Sequence, residues 1–172
     1  MEKVLFRTTG PEVVSAFDLE GVGTLRWIGN KCFRWVQNRS AAIQYVGDPV
    51  CHAVANIGTN AFYETVLVPA TADLGCFAGI VMGELAAYAA GTVGTAKTFG
   101  WIQVYGHNTH IHTNDAGTDL AALENMICVD GKHYMQRGAA VATASVYPTY
   151  ATAGAGNDTG GVLAIAGIIH AL

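Results

Sequence analysis

The sequence is short of charge. Lysine and arginine account for 9 of the 172 residues and aspartate and glutamate for 13, so charged residues make up 13% of the chain, whereas an average soluble domain carries roughly 25%. The formal net charge of −4 argues against a nucleic-acid partner, because general binding needs a strongly basic face. Since hydrophobic residues reach 51%, we expect apolar surface to be hidden between subunits; an alanine-rich monomer is the alternative.

Long hydrophobic runs are absent too. The longest apolar stretch, residues 162–169, is far below the roughly 18 residues that a membrane span needs. The opening residues, MEKVLFR, lack the long apolar segment and the small-residue cleavage site of a secretory signal peptide. These absences predict a protein that is made in a cytoplasm and has no membrane partner.

The four cysteines show none of the spacings that hold zinc. Cys32, Cys51, Cys76 and Cys128 are far apart and form no C-x-x-C pair. Disulfides would require an oxidising compartment. We therefore expect reduced, mostly buried thiols.

Recognisable catalytic motifs are also missing. The glycines at 21–23 and 154–156 are not followed by the Lys-Ser/Thr pair of a phosphate-binding loop. Ser15, Ser40 and Ser145 lie outside a nucleophile elbow. The acidic residues are isolated, so the sequence pairs no two carboxylates for acid–base catalysis. The sequence therefore predicts that the protein is not an enzyme and has no catalytic residue and no cofactor.

One row of histidines resembles a metal site. His107, His110 and His112 are close in the sequence, and residues two apart on a strand project from the same face. His110 and His112 could therefore bind a divalent ion together. The H-x-H pattern of cupin metal sites is followed by a glutamate, and none follows here at the required spacing. We favour a polar row that faces solvent or a partner, without a bound metal.

Short strand patterns separated by glycines dominate the chain. They predict strands at 24–28, 31–37, 61–68, 76–82, 99–105, 109–113, 126–129, 133–136, 140–146 and 162–172. Short helices are predicted at 48–54, 84–90 and 118–125. This pattern is typical of an all-β protein, here an antiparallel β-sandwich or barrel of the jelly-roll kind with one or two short helices. We expect a lead-in segment at 1–20 and a single β-rich domain at 21–172.

Residues 24–37 carry the clearest local signal. Two strand patterns, TLRWI and KCFRWVQ, flank a Gly-Asn pair. Glycine before asparagine suits a two-residue hairpin turn, because glycine readily adopts positive φ. The alternation of side chains predicts that Trp27, Phe33 and Trp35 are buried beneath a basic outer face.

Basic residues are concentrated on this hairpin and just after it, where four of the nine lie within residues 26–39 with no acidic residue between them. We expect this face to dock on an acidic protein surface; stacking on single-stranded nucleic acid is the alternative. The apolar segment near the C-terminal end is either a central core strand or a strand whose second face meets a neighbouring subunit. The residues predicted to contact partners are Arg26, Lys31, Arg34 and Arg39, together with Ile165, Ile168 and Ile169.

Three stretches resemble one family of viral proteins. The hairpin LRWIGNKCFRWVQN is similar to an early G-x-x-(F/Y)-x-(Y/W)-V strand, with Phe33, Trp35 and Val36 at the matching positions. The GIV of residues 79–81, followed by GWIQVYG at 100–106, resembles a GV-A … G-x-x-GWVQ-x-G core. The third stretch is the tail GVLAIAGIIHAL. Together they resemble the decoration or cement proteins of tailed-bacteriophage heads.

This resemblance implies a structural virion protein on the capsid surface, whose partners are the major capsid protein and further copies of itself. Capsid symmetry favours trimers or dimers, and we expect a trimer. The resemblance implies neither catalysis nor a cofactor. Two other functions stay open. One is a carbohydrate- or receptor-binding virion module that stacks sugars on Trp101, Tyr105, Tyr147 or Tyr150, and the other is a cupin-like metal-binding protein centred on the histidine row.

Overall fold

The computed structural model describes residues 10–56, 58, 59, 61–70, 76–89, 94–112, 124–128, 130–137, 149–152 and 161–165. Within these residues there are eleven strands, one single-turn α-helix and one 3-10 turn. The strands are β1 (Val14–Ser15), β2 (Leu25–Ile28), β3 (Lys31–Asn38), β4 (Pro49–Cys51), β5 (Thr65–Val66), β6 (Phe77–Val81), β7 (Phe99–Ile111), β8 (Glu124–Cys128), β9 (Met135–Arg137), β10 (Thr149–Thr152) and β11 (Gly161–Ile165). The helix is α1 (Ala61–Glu64), and the 3-10 turn is Val54–Asn56.

The strands form a mainly antiparallel sheet. Its longest path runs β2-β3-β7-β11-β10-β8-β9, while β1 and β6 pair with β7, β4 pairs with β6, and β5 pairs with β3. The pair of β3 and β5 is parallel. The path ends at β2 and at β9, so the described strands do not close into a barrel. The all-β antiparallel architecture predicted from the sequence is confirmed, in its sandwich form.

The hairpin of β2 and β3 has the predicted two-residue turn. Ile28 pairs with Lys31 across the turn, and Gly29 has a φ of 60°. The other edge of β3 pairs with β7, which places Trp35 directly opposite Trp101. The hairpin is thereby attached to the centre of the sheet along most of β3.

β7 connects the two halves of the sheet. Its residues 99–105 pair with β3, β1 and β6, whereas residues 106–111 pair with β11. Gly106 lies where the partner changes; its φ is 93°, and a Cβ there would lie 2.6 Å from the Asn30 carbonyl oxygen. Glycine is needed here because a side chain would meet the hairpin turn. The two strands predicted at 99–105 and 109–113 are therefore one strand.

Both faces of the β3–β7 pair are covered. An aromatic cluster on one face contains Phe33, Trp35, Phe99 and Trp101. The other face packs in an aliphatic cluster of Cys32, Val36, Val50, Val66, Ala78, Val81, Leu85, Ile102 and Val104. A third cluster contains Cys51, Ile80, Ile111, Cys128 and Met135. Burial of Phe33 and Trp35 is thus confirmed, and all four cysteines are free thiols, three of them buried.

Some local predictions are wrong. Within the predicted helix 48–54, Pro49–Cys51 forms β4, which is buried and pairs with β6. The segment 84–89 contains no helix, because Leu85 exchanges backbone hydrogen bonds with Gln44. The predicted strand 61–68 starts instead as α1. In the first two cases pairing between segments distant in sequence outweighs local propensity.

Other predictions fall partly or wholly outside the described residues. These are the strand at 140–146, residues 118–123 of the third helix and residues 166–172 of the last strand. β1 lies in the predicted lead-in segment and pairs with β7. No helix in the described ranges is long and apolar enough to cross a membrane.

Candidate functional site

The basic residues of the hairpin do not form the outer face that the alternation predicts. Arg34 is only 7% exposed. Arg26 is half-buried, donates a 2.7 Å hydrogen bond to Glu20 Oε2 and places its guanidinium 4.5 Å from the centroid of the Trp101 ring. The prediction of a basic outer face is wrong for these two residues, because both contribute to packing within the fold.

The other predicted partner contacts lie in different environments. Lys31 is half-buried at the start of β3, and Arg39 is exposed with its guanidinium 4.1 Å above a tyrosine ring. Ile165 is the last residue of β11, between β7 and β10. Ile168 and Ile169 lie outside the described residues. The role of all of them in partner contacts stays a prediction.

The register of the hairpin brings the apolar residues of β2 to the surface. Leu25 pairs with Arg34 and Trp27 pairs with Cys32. Directly opposite residues of an antiparallel pair project from the same face, so Leu25 and Trp27 lie on the face away from the aromatic cluster. Leu25 is 41% exposed and Trp27 is 54% exposed. The prediction that Trp27 is buried with Phe33 is therefore wrong.

Tyr105 of β7 extends this exposed surface. Its ring lies 5.4 Å from that of Trp27, with the ring planes tilted by 56°, and it is 39% exposed. We call Leu25, Trp27 and Tyr105 the edge patch. Among the described strands β2 ends the sheet, and the alternating hydrogen bonds of the hairpin direct the N–H and C=O groups of Leu25 and Trp27 away from β3. The edge patch thus combines apolar side chains with a strand edge.

Arg34 belongs to a buried polar cluster on the same face of the sheet. Its Nη1 donates to His52 Nε2 at 3.2 Å, and its guanidinium lies 4.9 Å from the centroid of the Tyr63 ring. His52 Nδ1 donates to the Thr65 carbonyl oxygen at 3.0 Å, which leaves the lone pair of Nε2 to accept from Arg34. Burial lowers the pKa of His52 to about 4, so this imidazole is uncharged at neutral pH.

The charge of Arg34 is not compensated within this cluster. Burial lowers the pKa of the guanidinium, and Arg34 Nε is buried without a hydrogen-bond partner. Arg34 takes no part in the ion pairs that join Arg26 to Glu20 and Asp48 to two histidines. The cluster therefore holds one buried positive charge whose neighbours are neutral.

A second polar cluster joins three segments that are distant in the sequence. The Asp48 carboxylate is fully buried and accepts hydrogen bonds from His112 Nδ1 at 2.8 Å, from His133 Nδ1 at 2.5 Å and from the backbone N–H of Tyr45 at 2.8 Å. Because a carboxylate only accepts, each Nδ1 carries a proton. The two histidine side chains are 38% and 35% exposed.

The predicted histidine row is divided by this arrangement. His112 contacts Asp48, whereas His107 is exposed on β7. In the part of the chain that the structure describes, no group of three or more His, Cys, Asp or Glu side chains could hold a metal ion. Sequence reasoning missed His133, whose only local signal is the tight turn before it. Its contact with Asp48 spans 85 positions of the chain.

Comparisons with protein-family models, curated proteins and solved structures find no match for this chain. The edge patch and the two polar clusters are therefore the features from which a function can be inferred.

Proposed function

We propose that this chain is a structural protein of a tailed-bacteriophage virion, which binds the outer surface of the capsid and bridges neighbouring capsid subunits. The edge patch carries this proposal. Exposed aromatic side chains that lie together mark interaction surfaces, and Trp and Tyr are the residues enriched at the energetic centres of protein interfaces. Trp27 and Tyr105 are such a pair.

The strand edge beside the patch supports the same role. An exposed edge strand can pair with a strand of another protein, in which case backbone hydrogen bonds supply affinity and side chains supply specificity. Burial of Leu25 and Trp27 against a partner would also remove the aggregation hazard of an apolar edge strand. The partners proposed are the major capsid protein and further copies of this chain, with a trimer favoured.

Light scattering and a shell-binding assay test the proposal. We expect a discrete oligomer, with a mass three times the 18.0 kDa of one chain for the trimer. We also expect saturable binding to expanded shells of the major capsid protein encoded by the same genome, measured by co-sedimentation, and no binding to unexpanded shells. A protein that is monomeric and does not sediment with expanded shells would contradict the proposal.

Substitutions in the edge patch test where the partner binds. The double variant Trp27→Ser with Tyr105→Ser removes two aromatic contacts, so we expect shell binding to weaken at least about tenfold. Ile43→Ser is the matched control, because Ile43 is an exposed apolar residue in the loop between β3 and β4. Equal binding by the double variant and the control would exclude the edge patch as the docking surface.

Carbohydrate or receptor binding is the second candidate, because the Trp27–Tyr105 pair could stack a sugar ring. The earlier expectation for Trp101 is wrong, since this side chain is buried against Trp35. Tyr147 and the side chain of Tyr150 lie outside the described part. A glycan array tests this function: we expect hits that disappear with Trp27→Ser, and an array without hits would exclude it.

A further inference from the structure

The unpaired guanidinium edge of Arg34 points to a ligand. We propose that Arg34 binds a carboxylate through its Nε and Nη2 atoms. Burial of a cation without a counter-ion is strongly unfavourable, and buried polar groups are normally hydrogen-bonded. Arg34 departs from both rules, because only 7% of its surface is exposed and its Nε has no hydrogen-bond partner. A carboxylate at this edge would satisfy both.

The contacts of Arg34 leave one edge of the guanidinium available. Nη1 donates to His52, and the Tyr63 ring covers one face of the group. The remaining edge, formed by Nε and Nη2, presents two parallel N–H bonds at the spacing of the two oxygens of a carboxylate. A ligand in the plane of the guanidinium would accept both bonds while Nη1 keeps its hydrogen bond to His52.

The charge of the cluster selects a singly charged ligand. Arg34 contributes one positive charge, and His52 is uncharged at neutral pH because of its burial. A doubly charged phosphate would leave one negative charge uncompensated in a buried site, which is unfavourable. A carboxylate is neutralised by Arg34 alone. We therefore assign the site to carboxylates and not to doubly charged phosphates.

The site adjoins the exposed edge of the sheet. Leu25, which pairs with Arg34 across the hairpin, is exposed, and Tyr63 is half-buried. The carboxylate therefore comes either from a small free acid or from an acidic side chain of a bound protein. These two sources share the same chemistry at Arg34 and differ in what surrounds the carboxylate.

NMR of the full ¹⁵N-labelled chain tests the site directly, because the Arg34 Nε–Hε group gives its own resonance. We expect propionate to move the Hε signal downfield saturably, with a dissociation constant of ~1–10 mM. Propionamide, which is neutral and of the same shape, and sodium chloride at equal ionic strength should leave it in place. A signal that does not move with propionate, or that moves equally with propionamide or chloride, would overturn the proposal.

A second ligand separates the two sources. N-acetyl-glutamic acid N-methylamide presents the carboxylate as a protein side chain does. Saturable binding of this compound supports an acidic side chain of a protein, whereas binding of propionate alone supports a free acid. The titration uses no capsid, so its result does not depend on the virion role proposed above.

Substitutions test whether the propionate-induced shifts arise from binding at Arg34. Arg34→Lys removes the paired N–H bonds and keeps the charge, so we expect propionate binding, followed by backbone amide shifts of β3, to weaken about tenfold. Arg39→Lys is the matched control, because Arg39 is an exposed arginine just past the end of β3, and it should leave the Arg34 signal and its titration unchanged. If Arg34→Lys does not fold, the titrations of the wild-type protein with propionate, propionamide and sodium chloride test the proposal by themselves.

Discussion

Asp48 and His112 are joined by a hydrogen bond of 2.8 Å although 64 positions separate them in the chain. The same carboxylate binds His133, so that one buried side chain connects the start of β4, the end of β7 and the segment that leads into β9. Such contacts between distant segments stabilise the arrangement of a sheet beyond the pairing of its strands.

Replacement of Asp48 by asparagine should weaken this connection. The amide has only one acceptor oxygen, and its NH₂ group would face a histidine N–H that also donates. We expect a loss of about 2 kcal/mol in the free energy of unfolding, measured by urea denaturation. Glu84→Gln is the control, because Glu84 is exposed, and it should change stability by less than about 0.5 kcal/mol. Equal effects of the two substitutions would show that the Asp48 contacts contribute nothing specific.

Truncation of the two tryptophans of the hairpin should destabilise the protein by very different amounts. Trp35 is completely buried and donates from Nε1 to Asp18 Oδ1 at 2.8 Å. We expect Trp35→Ala to cost about 3–5 kcal/mol of unfolding free energy, and Trp27→Ala, at an exposed position, to cost less than about 1 kcal/mol. Denaturation of both variants side by side provides the measurement. A larger loss for Trp27→Ala would contradict the register of the hairpin.

Acid should destabilise the fold through His52. Its pKa is about 4 in the folded state, against 6.5 for an unperturbed histidine. The unfolded chain therefore takes up the proton first, so stability falls as the pH drops from about 6.5 to about 4 and is fully retained above 6.5. We expect the wild type to lose of the order of 3 kcal/mol more than His52→Gln between pH 7 and pH 4.

Urea denaturation at several pH values measures this difference. The comparison with His52→Gln removes the contribution of all other titrating groups, provided that both proteins remain two-state. Stability curves that run parallel for the two proteins would show that His52 is not buried in its neutral form.

Glycine should be essential at position 79. Gly79 has a φ of 153°, and a Cβ would lie 2.5 Å from the carbonyl oxygen of Gln103 on β7. We expect Gly79→Ala to destabilise the protein by about 3 kcal/mol, through backbone strain and overlap. Gly29→Ala at the hairpin turn meets no atom within 4 Å and should cost only about 1–2 kcal/mol. Thermal unfolding of the two variants distinguishes these outcomes.

The two strands of the hairpin and the turn between them can be predicted from the sequence. The Gly-Asn pair and the two flanking alternating segments predict both strands and their turn, because these signals are local. The same turn also determines the register: with Ile28 opposite Lys31, Trp27 must face the side of Cys32. Trp27 therefore lies on the opposite face from Phe33. The faces of these two residues could thus be predicted from the sequence.

The two polar clusters cannot be predicted from the sequence in the same way. Arg34 meets His52 and Tyr63 because β3 packs beside β4 and α1, and no local pattern indicates these neighbours. The alternation of charged and aromatic residues suggested an outward Arg34 because it assumes one buried and one solvated face. β3 is instead covered on both faces.

The all-β class, the hairpin turn and the burial of Phe33 and Trp35 follow from local signals, since strand periodicity and turn chemistry act between near neighbours. Which face of each strand is covered depends on the packing of the whole chain. Coverage depends on segments far away in the chain: His52, which follows β4, and Tyr63 of α1 pack against Arg34, while no described strand lies beyond β2, which leaves Trp27 at the surface. The buried arginine and the exposed tryptophan thus follow from long-range packing and not from local pattern.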